Sequence, residues 1–217
     1  GAEFRYALTE DFKGKLYSSI ISDRKYDNTR YQVKFLHEQV MMKDLTFKVN
    51  TNYVSDMDYL EDFGNSPAER SENLLKSTAY IEKPLPKSLL TVEGSYFRNL
   101  TKRNNDYTFQ YLPFVSFFTE YLPIIKEKLY TDFFAGLTNF TRAQGENYTR
   151  LSFEPRLRMP ISWKGINFLI NGTLYETGYA ISNSNTGNNQ TETRQTAKIE
   201  GDANVQFLKN YYTDMFK

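Results

Sequence analysis

The chain has 217 residues, and its 27 Lys and Arg against 26 Asp and Glu leave a formal net charge of +1, so no one-sided field draws in nucleic acid or an acidic partner. It has no cysteine and a single histidine, His37, which excludes disulfides, thiolate chemistry and multi-histidine metal centres. Seventeen Tyr and 17 Phe on a chain of mean hydropathy −0.62 exclude both a disordered tail and an ordinary helical bundle.

In chain order, a tight connection at Lys13-Gly14 is followed by a polar loop over residues 23–30. Tyr31, Val33, Phe35 and His37 then share one parity, so the histidine reads as an interfacial side chain near a short-turn rim rather than a catalytic base. After a turn at Lys43-Asp44, Leu45, Phe47, Val49, Thr51 and Tyr53 alternate with Thr46, Lys48, Asn50, Asn52 and Val54. That period of two gives a pleated strand one apolar and one hydrophilic face. A long loop over 56–73, a turn at Pro84-Leu85-Pro86 and a loop over 100–106 come next.

The longest charge-free apolar stretch, residues 107–119, contains Pro113 and falls short of the ~18 residues a membrane-spanning helix needs. Beyond a turn at Leu122-Pro123, Leu129, Phe133, Ala135 and Leu137 alternate with Lys128, Tyr130, Asp132 and Phe134. A loop over 139–148 leads to Leu151, Phe153, Leu157 and Met159, which alternate with Arg150, Ser152, Glu154, Arg156 and Arg158. The turn Trp163-Lys164-Gly165 and a loop over 182–193 precede the last alternation. There Thr196, Lys198, Glu200, Asp202, Asn204 and Gln206 interleave with Ala197, Ile199, Gly201, Ala203, Val205 and Phe207, ahead of a final turn near Asn210.

Tight turns and long loops alternate, as they do in an up-and-down antiparallel sheet with one short-turned rim. The segments run to ten to fourteen residues, longer than the ~5–6 of soluble strands and enough for the ~9–11 tilted residues that cross a bilayer. The expected fold is therefore all-β: an antiparallel up-and-down transmembrane β-barrel, here partial, with about eleven strands of a larger barrel forming one domain over residues 1–217. An odd count suggests an arc, because bacterial single-chain barrels close with even numbers.

Two girdles are expected: Phe12, Phe117, Phe118, Tyr121, Trp163, Tyr211 and Tyr212 near the short turns, and Tyr26, Tyr31, Tyr53, Tyr59, Tyr107, Tyr148 and Tyr179 beside the long loops. Cross-strand pairing in a soluble sheet is the competing explanation for so many rings. Pro113, Pro155 and Pro160 each remove a ladder donor and imply bulges or local unpairing. Pro113 and Pro155, in related strings, are expected at matching heights.

The hydrophilic face would line a watery lumen with Lys48, Asn50, Asn52, Glu93, Asp132, Arg150, Glu154, Arg156, Arg158, Lys198, Glu200, Asp202, Asn204 and Gln206. Amides and mixed charges bond sugar hydroxyls weakly and exchangeably, as a conduit requires. Taken singly, each of these residues reads as solvated or as half of a cross-strand charge pair. The arginine group has the donors for phosphate, yet Glu154 among them favours a structural charge ladder. Asp56, Asp58, Glu61 and Asp62 hold carboxylates for a divalent cation without the spacing of an EF-hand. No nucleophile stands with a base, so neither catalysis nor a cofactor is expected.

Three segments carry a family resemblance. The loop Ser22-Asp23-Arg24-Lys25-Tyr26-Asp27, the run Asn52-Tyr53-Val54-Ser55-Asp56 with Tyr59-Leu60-Glu61-Asp62-Phe63-Gly64, and the Glu154-Pro155 strand leading to Trp163-Lys164-Gly165 occur in the order found in one family. Together they resemble the barrel domain of the lipopolysaccharide-assembly outer-membrane protein LptD (OstA/Imp), over most of the chain. The resemblance implies a very large barrel with an N-terminal periplasmic jellyroll, a plug lipoprotein, LptE, inside it, and periplasmic bridge proteins that deliver lipopolysaccharide. Lipid would then pass from the jellyroll into the membrane, and sugars through the lumen and out by a seam between the first and last strands.

The jellyroll, the closing strands and the cysteines that join jellyroll to barrel in some members are not found in this sequence, so the family's best-defined functional residues cannot be placed on it. The expected function is a non-catalytic scaffold and conduit for inserting lipopolysaccharide into the outer leaflet, located in the bacterial outer membrane and in contact with its lipids. The alternatives are a general porin or channel, and a soluble β-rich carbohydrate-binding or adhesin domain.

Overall fold

The structure, a computed structural model, describes residues 1–24, 27–182 and 189–205. It contains strands β1 (Ala2–Thr9), β2 (Phe12–Asp23), β3 (Asn28–Met42), β4 (Leu45–Val54), β5 (Leu74–Leu85), β6 (Ser88–Asn99) and β7 (Gln110–Thr119). These are followed by β8 (Leu122–Ile125), β9 (Leu129–Thr141), β10 (Asn147–Trp163), β11 (Ile166–Ser182) and β12 (Asn189–Val205). Two short helices, α1 (Tyr59–Phe63) and α2 (Pro67–Arg70), interrupt the β4–β5 connection. The strands form one 12-stranded antiparallel sheet in chain order, with the four-residue β8 attached beside β9 and off the main path. Among the described residues the sheet does not close, and β1 and β12 are its edges.

Register carries each strand's alternation across the whole sheet. Phe47, Ile81, Val92, Val115, Leu137 and Leu151 are successive cross-strand partners on β4, β5, β6, β7, β9 and β10. One residue away, Lys48, Tyr80, Glu93, Phe114, Thr138 and Arg150 are partners on the same strands. Because directly opposed residues point to the same side, the first row belongs to a continuous apolar face and the second to a polar one. Among the charged strand residues only Lys83, Arg98 and Glu176 fall on the apolar side.

The turns follow from local chemistry. Lys164 and Gly165 both have positive φ, 47° and 84°, the conformation of a two-residue type I′ hairpin between β10 and β11. The first turn is Glu10-Asp11 rather than Lys13-Gly14, which lies inside β2. Glycine is needed at 14 for a different reason: the Tyr6 ring lies across it, and a Cβ there would meet Tyr6 Oη at 2.2 Å. Two expected long loops are short, covering only residues 24–27 and 142–146. Tyr26, Gln206, Phe207, Tyr211, Tyr212 and the turn near Asn210 lie outside the described residues.

Pro113 sits at a bulge. Glu93 and Ser95 on β6 oppose Phe114 and Tyr111 on β7, and the same extra residue appears against β9. The insertion reverses parity, so Tyr111 and Phe114 both reach the polar face. Pro155 pairs with Phe133 on β9, but it and Glu154 drop out of the β10–β11 ladder. Pro160 pairs with Leu169 on β11, beyond the end of β10's pairing with β9. The expected matching heights of Pro113 and Pro155 are not found: the Pro113 bulge lies beside Asn139, well along β9 from Phe133.

No second layer covers the sheet among the described residues. The buried apolar cluster, Val54, Tyr59, Leu60, Leu75 and Leu100 with Ile21 and Phe63 against it, gathers at the long-loop end where the β4–β5 connection folds back. There the two strands part: their ladder covers only Thr46 to Asn50 against Glu82 to Thr78. Side chains take over the backbone groups above it. Asn52 N–H donates to Ser77 Oγ at 3.1 Å, the Ser77 hydroxyl donates to the Asn52 carbonyl at 3.2 Å, and the Arg98 guanidinium donates to the carbonyls of Val54 and Ser55.

Ser77→Ala should therefore cost about 1–3 kcal/mol, the penalty for orphaned polar groups. Denaturant unfolding of the full-length protein in detergent measures it, and a change within error would show that the gap is capped otherwise.

Candidate functional site

Tyr31 of the expected girdle lies on β3 next to the residue that organises the long-loop rim, Arg30. Its side chain is 3% exposed and meets three carboxylates: Asp23 at 3.0 Å, Asp62 at 2.6 Å and Asp56 at 2.7 Å. The Nε–H donates to the second Asp56 oxygen at 3.0 Å, which makes the Asp56 contact bidentate. The guanidinium also lies 4.9 Å from the Phe63 ring centroid and 5.8 Å from that of Tyr59. One buried cation thus ties β2, β3 and the β4–β5 connection together.

A second tie joins Lys34 Nζ on β3 to Glu69 on α2 at 2.6 Å. Ser66 caps α2 by accepting the Glu69 N–H, with Pro67 at the first helical position. Arg30 and Lys34 are polar-face residues, so both contacts draw the helical loop inward over that face.

Burial pushes the Asp56 carboxyl up, but the bonds from the Arg30 guanidinium and the Ser55 hydroxyl outweigh it and hold the group below the ordinary carboxylate range. The Lys34 ammonium, helped by the Asn65 N–H, does the same for Glu69. Asp56 and Asp62 are thereby taken by Arg30, which corrects their reading as cation ligands.

The structure places every lumen candidate within the described residues on the polar face: Lys48, Asn50, Asn52, Glu93, Asp132, Arg150, Glu154, Arg156, Arg158, Lys198, Glu200, Asp202 and Asn204. They form no single pocket. Glu93 pairs with Lys76 at 2.9 Å, Asp132 with Arg156 at 3.7 Å, and Glu200 with Lys198 at 2.7 Å. The three arginines of β10 have separate surroundings: Arg156 faces Asp132, Arg158 lies 3.9 Å from the Tyr121 ring centroid, and Arg150 lies 5.3 Å from that of Phe140. Glu154 joins none of them in an ion pair among the described residues.

The girdle expectation holds in part. Tyr31 and Tyr53 stack at 6.1 Å on the apolar face, and Trp163 is exposed there. Tyr59 is instead 2% exposed within the loop core. Phe118, Tyr121, Tyr148 and Tyr179 turn to the polar side. His37 is on the apolar face, where Nδ1 and Tyr6 Oη share a 2.7 Å hydrogen bond inside a ring cluster of Phe12, Phe35 and Phe47.

Fold and site together define an all-β meander protein whose sheet is amphipathic from one edge to the other. The family model described as LptD, LPS transport system D, matches residues 28–217, and the chain belongs to that family. It is 26% identical over 182 residues to the LPS-assembly protein LptD of Vibrio vulnificus (strain YJ016), covering 82% of this chain and 23% of the relative. The like-named protein of Aliivibrio fischeri is 26% identical over 165 residues, 74% of this chain and 20% of the relative. That of Ralstonia nicotianae is 37% identical over 67 residues, 30% of this chain and 8% of the relative. The chain thus spans about a quarter or less of the length of these relatives.

Arg30→Lys keeps the charge but not the fork that reaches three carboxylates, and should destabilise the loop by about 2 kcal/mol, less than a fully buried pair because the acids are partly exposed. Limited proteolysis of residues 56–73 in the full-length protein tests this, and an unchanged cleavage rate would contradict it. Asp56 and Glu69 have depressed folded values, so their contribution is complete above the ordinary carboxylate pKa and fades as pH falls through the folded ones. Loop protection should be flat from neutral pH to about 5 and be lost only at more acidic pH.

Proposed function

We propose that this chain is part of the wall of a transmembrane β-barrel in the outer membrane of a Gram-negative bacterium, serving as scaffold and conduit for lipopolysaccharide on its way to the outer leaflet. The observation that carries this reading is the division of the sheet into two solvents' worth of surface. Leu151, Leu157, Leu174 and Ile199 are 50–82% exposed on the apolar face, and nearly every charged strand residue lies opposite.

A face of that kind is an aggregation hazard in water and a natural surface in lipid, which argues against a soluble carbohydrate-binding or adhesin domain. The open edges of the sheet would be completed by further strands, since unpaired backbone is costly in hydrocarbon. Family membership supplies the cargo, and the relatives' printed name describes assembly of LPS rather than catalysis. Within the same reading, a plug lipoprotein like LptE and periplasmic bridge proteins are the partners.

The polar face suits a conduit. Its amides and paired charges present many weak bonding sites and no tight one.

Adjacent positions on β4 give the test. Val49→Arg, at the middle of the apolar face, should cost ~2–4 kcal/mol in the full-length protein folded in lipid vesicles, whereas Asn50→Arg should cost ~1 kcal/mol or less. Equal costs would remove the facing assignment and the reading with it.

A further inference from the structure

The polar face carries a feature that a wetted charge-lined wall does not need. Near its long-loop end Phe97 on β6, Tyr111 on β7, Phe140 on β9, Tyr148 on β10 and Tyr179 on β11 form an unbroken row across five adjacent strands. Successive ring centroids are 4.8, 4.8, 4.3 and 6.2 Å apart. Phe109 leans on the middle of the row, 5.3 Å from Tyr148. Phe140, 7% exposed, is the packed centre of the row, stacked on Tyr148 with Phe109 and Arg150 beside it, and Phe97, Tyr111, Tyr148 and Tyr179 are the half-buried rings around it; the helical loop packs on β3 instead.

Three observations point to a ligand. The Tyr111, Tyr148 and Tyr179 hydroxyls make no hydrogen bond among the described residues, although all three side chains are half-buried. Arg150 sits 5.3 Å from the Phe140 ring centroid, and among the described residues it has no ion pair and its buried Nε has no partner. Arg142 lies 4.3 Å from the Phe109 centroid and uses its Nε–H on the Glu146 carbonyl.

We propose that this row is a stacking track for the pyranose rings of an anionic oligosaccharide. Aromatic faces take up the apolar C–H faces of sugars, the free phenols meet their hydroxyls, and Arg150 and Arg142 meet a phosphate or carboxylate substituent. Strand spacing of ~4.8 Å sets one ring per strand, with Phe97 and Tyr111 on one side of the buried Phe140 and Tyr148 and Tyr179 on the other, so a chain can shift between neighbouring subsites along the row. The Pro113 bulge is part of the device, because without its parity reversal Tyr111 would face away and break the row. This inference rests on the conduit reading and names the part of the cargo that touches the wall.

The test uses the full-length protein with its partners in vesicles and, as probe, a delipidated phosphorylated core oligosaccharide and its dephosphorylated form. Binding is read by saturation-transfer NMR, and lipopolysaccharide delivery to the outer leaflet is scored on the same preparations. Tyr148→Leu combined with Tyr179→Leu should weaken binding about five- to tenfold, and Tyr148→Trp should retain it. Dephosphorylation should weaken binding a few-fold in the unaltered protein, less in Arg150→Gln, and not at all in Arg150→Gln combined with Arg142→Gln.

Should the leucine pair misfold, Tyr148→Phe with Tyr179→Phe keeps the stacking and isolates the hydroxyls, with a smaller loss expected. Undiminished binding by a folded leucine pair, or no binding by the unaltered protein while delivery proceeds, overturns the track and leaves the conduit standing. Failure of the unaltered protein to deliver lipopolysaccharide sinks the conduit reading itself.

Discussion

Everything in this molecule depends on cross-strand register. A strand's side chains alternate with a period of two, so a slip of one residue between neighbours would send a whole strand's apolar set to the wrong side. Here the alternation is carried from β1 to β12 without such a slip, and where the register shifts, at Ala7, Val40, Glu93, Tyr111 and Pro123, the shift is local. Among the described residues the sheet has almost no conventional interior. Its folding information lies in matching rows, and a contact such as Val92 with Val115 matters chiefly because it fixes which face Glu93 occupies.

Arg30 shows what happens where that logic stops. At the long-loop end β4 and β5 part, the ladder no longer satisfies the backbone, and the connection must bring its own packing and bonds. Tyr59, Leu60 and Phe63 supply apolar cover, while Arg30 gathers three aspartates that come from β2 and from two points of the loop. A buried arginine with several hydrogen-bonded carboxylates is more a device for fixing one arrangement than a source of net stability. In this case it fixes the loop inward, so that the buried cluster and the polar face are neighbours.

The strand pattern was legible because it is local. Leu45 to Tyr53 and Thr196 to Val205 show their two faces in any sequence window, and the lumen candidates fell on one face because parity survives from strand to strand. What sequence could not show was anything set by pairing across strands. Tyr59 and Tyr148 look like girdle residues by their place beside long loops, yet the first is loop core and the second turns to the polar side. Asp56 and Asp62 look like free loop acids until the fold brings Arg30 between them. Asp23-Arg24 and Arg30, seven residues apart across a hairpin, were the available signal for the hub, but nothing in their spacing marks one arginine as buried. The bulge was readable from Pro113; its consequence for Tyr111 needed the neighbours' registers.

The three charges on the apolar face support the membrane reading by where they stand. Lys83 lies at the short-turn end, where its ammonium reaches the Lys43 carbonyl at 2.5 Å. Arg98 lies at the long-loop end, bonded to two carbonyls and 4.5 Å from the Tyr53 ring centroid. Glu176 follows Leu174 toward the same end and accepts a bond from Gln195 at 3.0 Å. Between the row of Lys83, which meets β6 at Leu90, and Arg98 the strand rises ~26 Å, and between Ile166 and Glu176 ~33 Å. Tilted as barrel strands are, those lengths project to between ~20 and ~25 Å, close to the apolar belt of a transmembrane barrel. Charges that are few and that each have their own polar partner are what a hydrocarbon layer would tolerate, and between the rows of Lys83 and Arg98 the apolar face of β6 carries none.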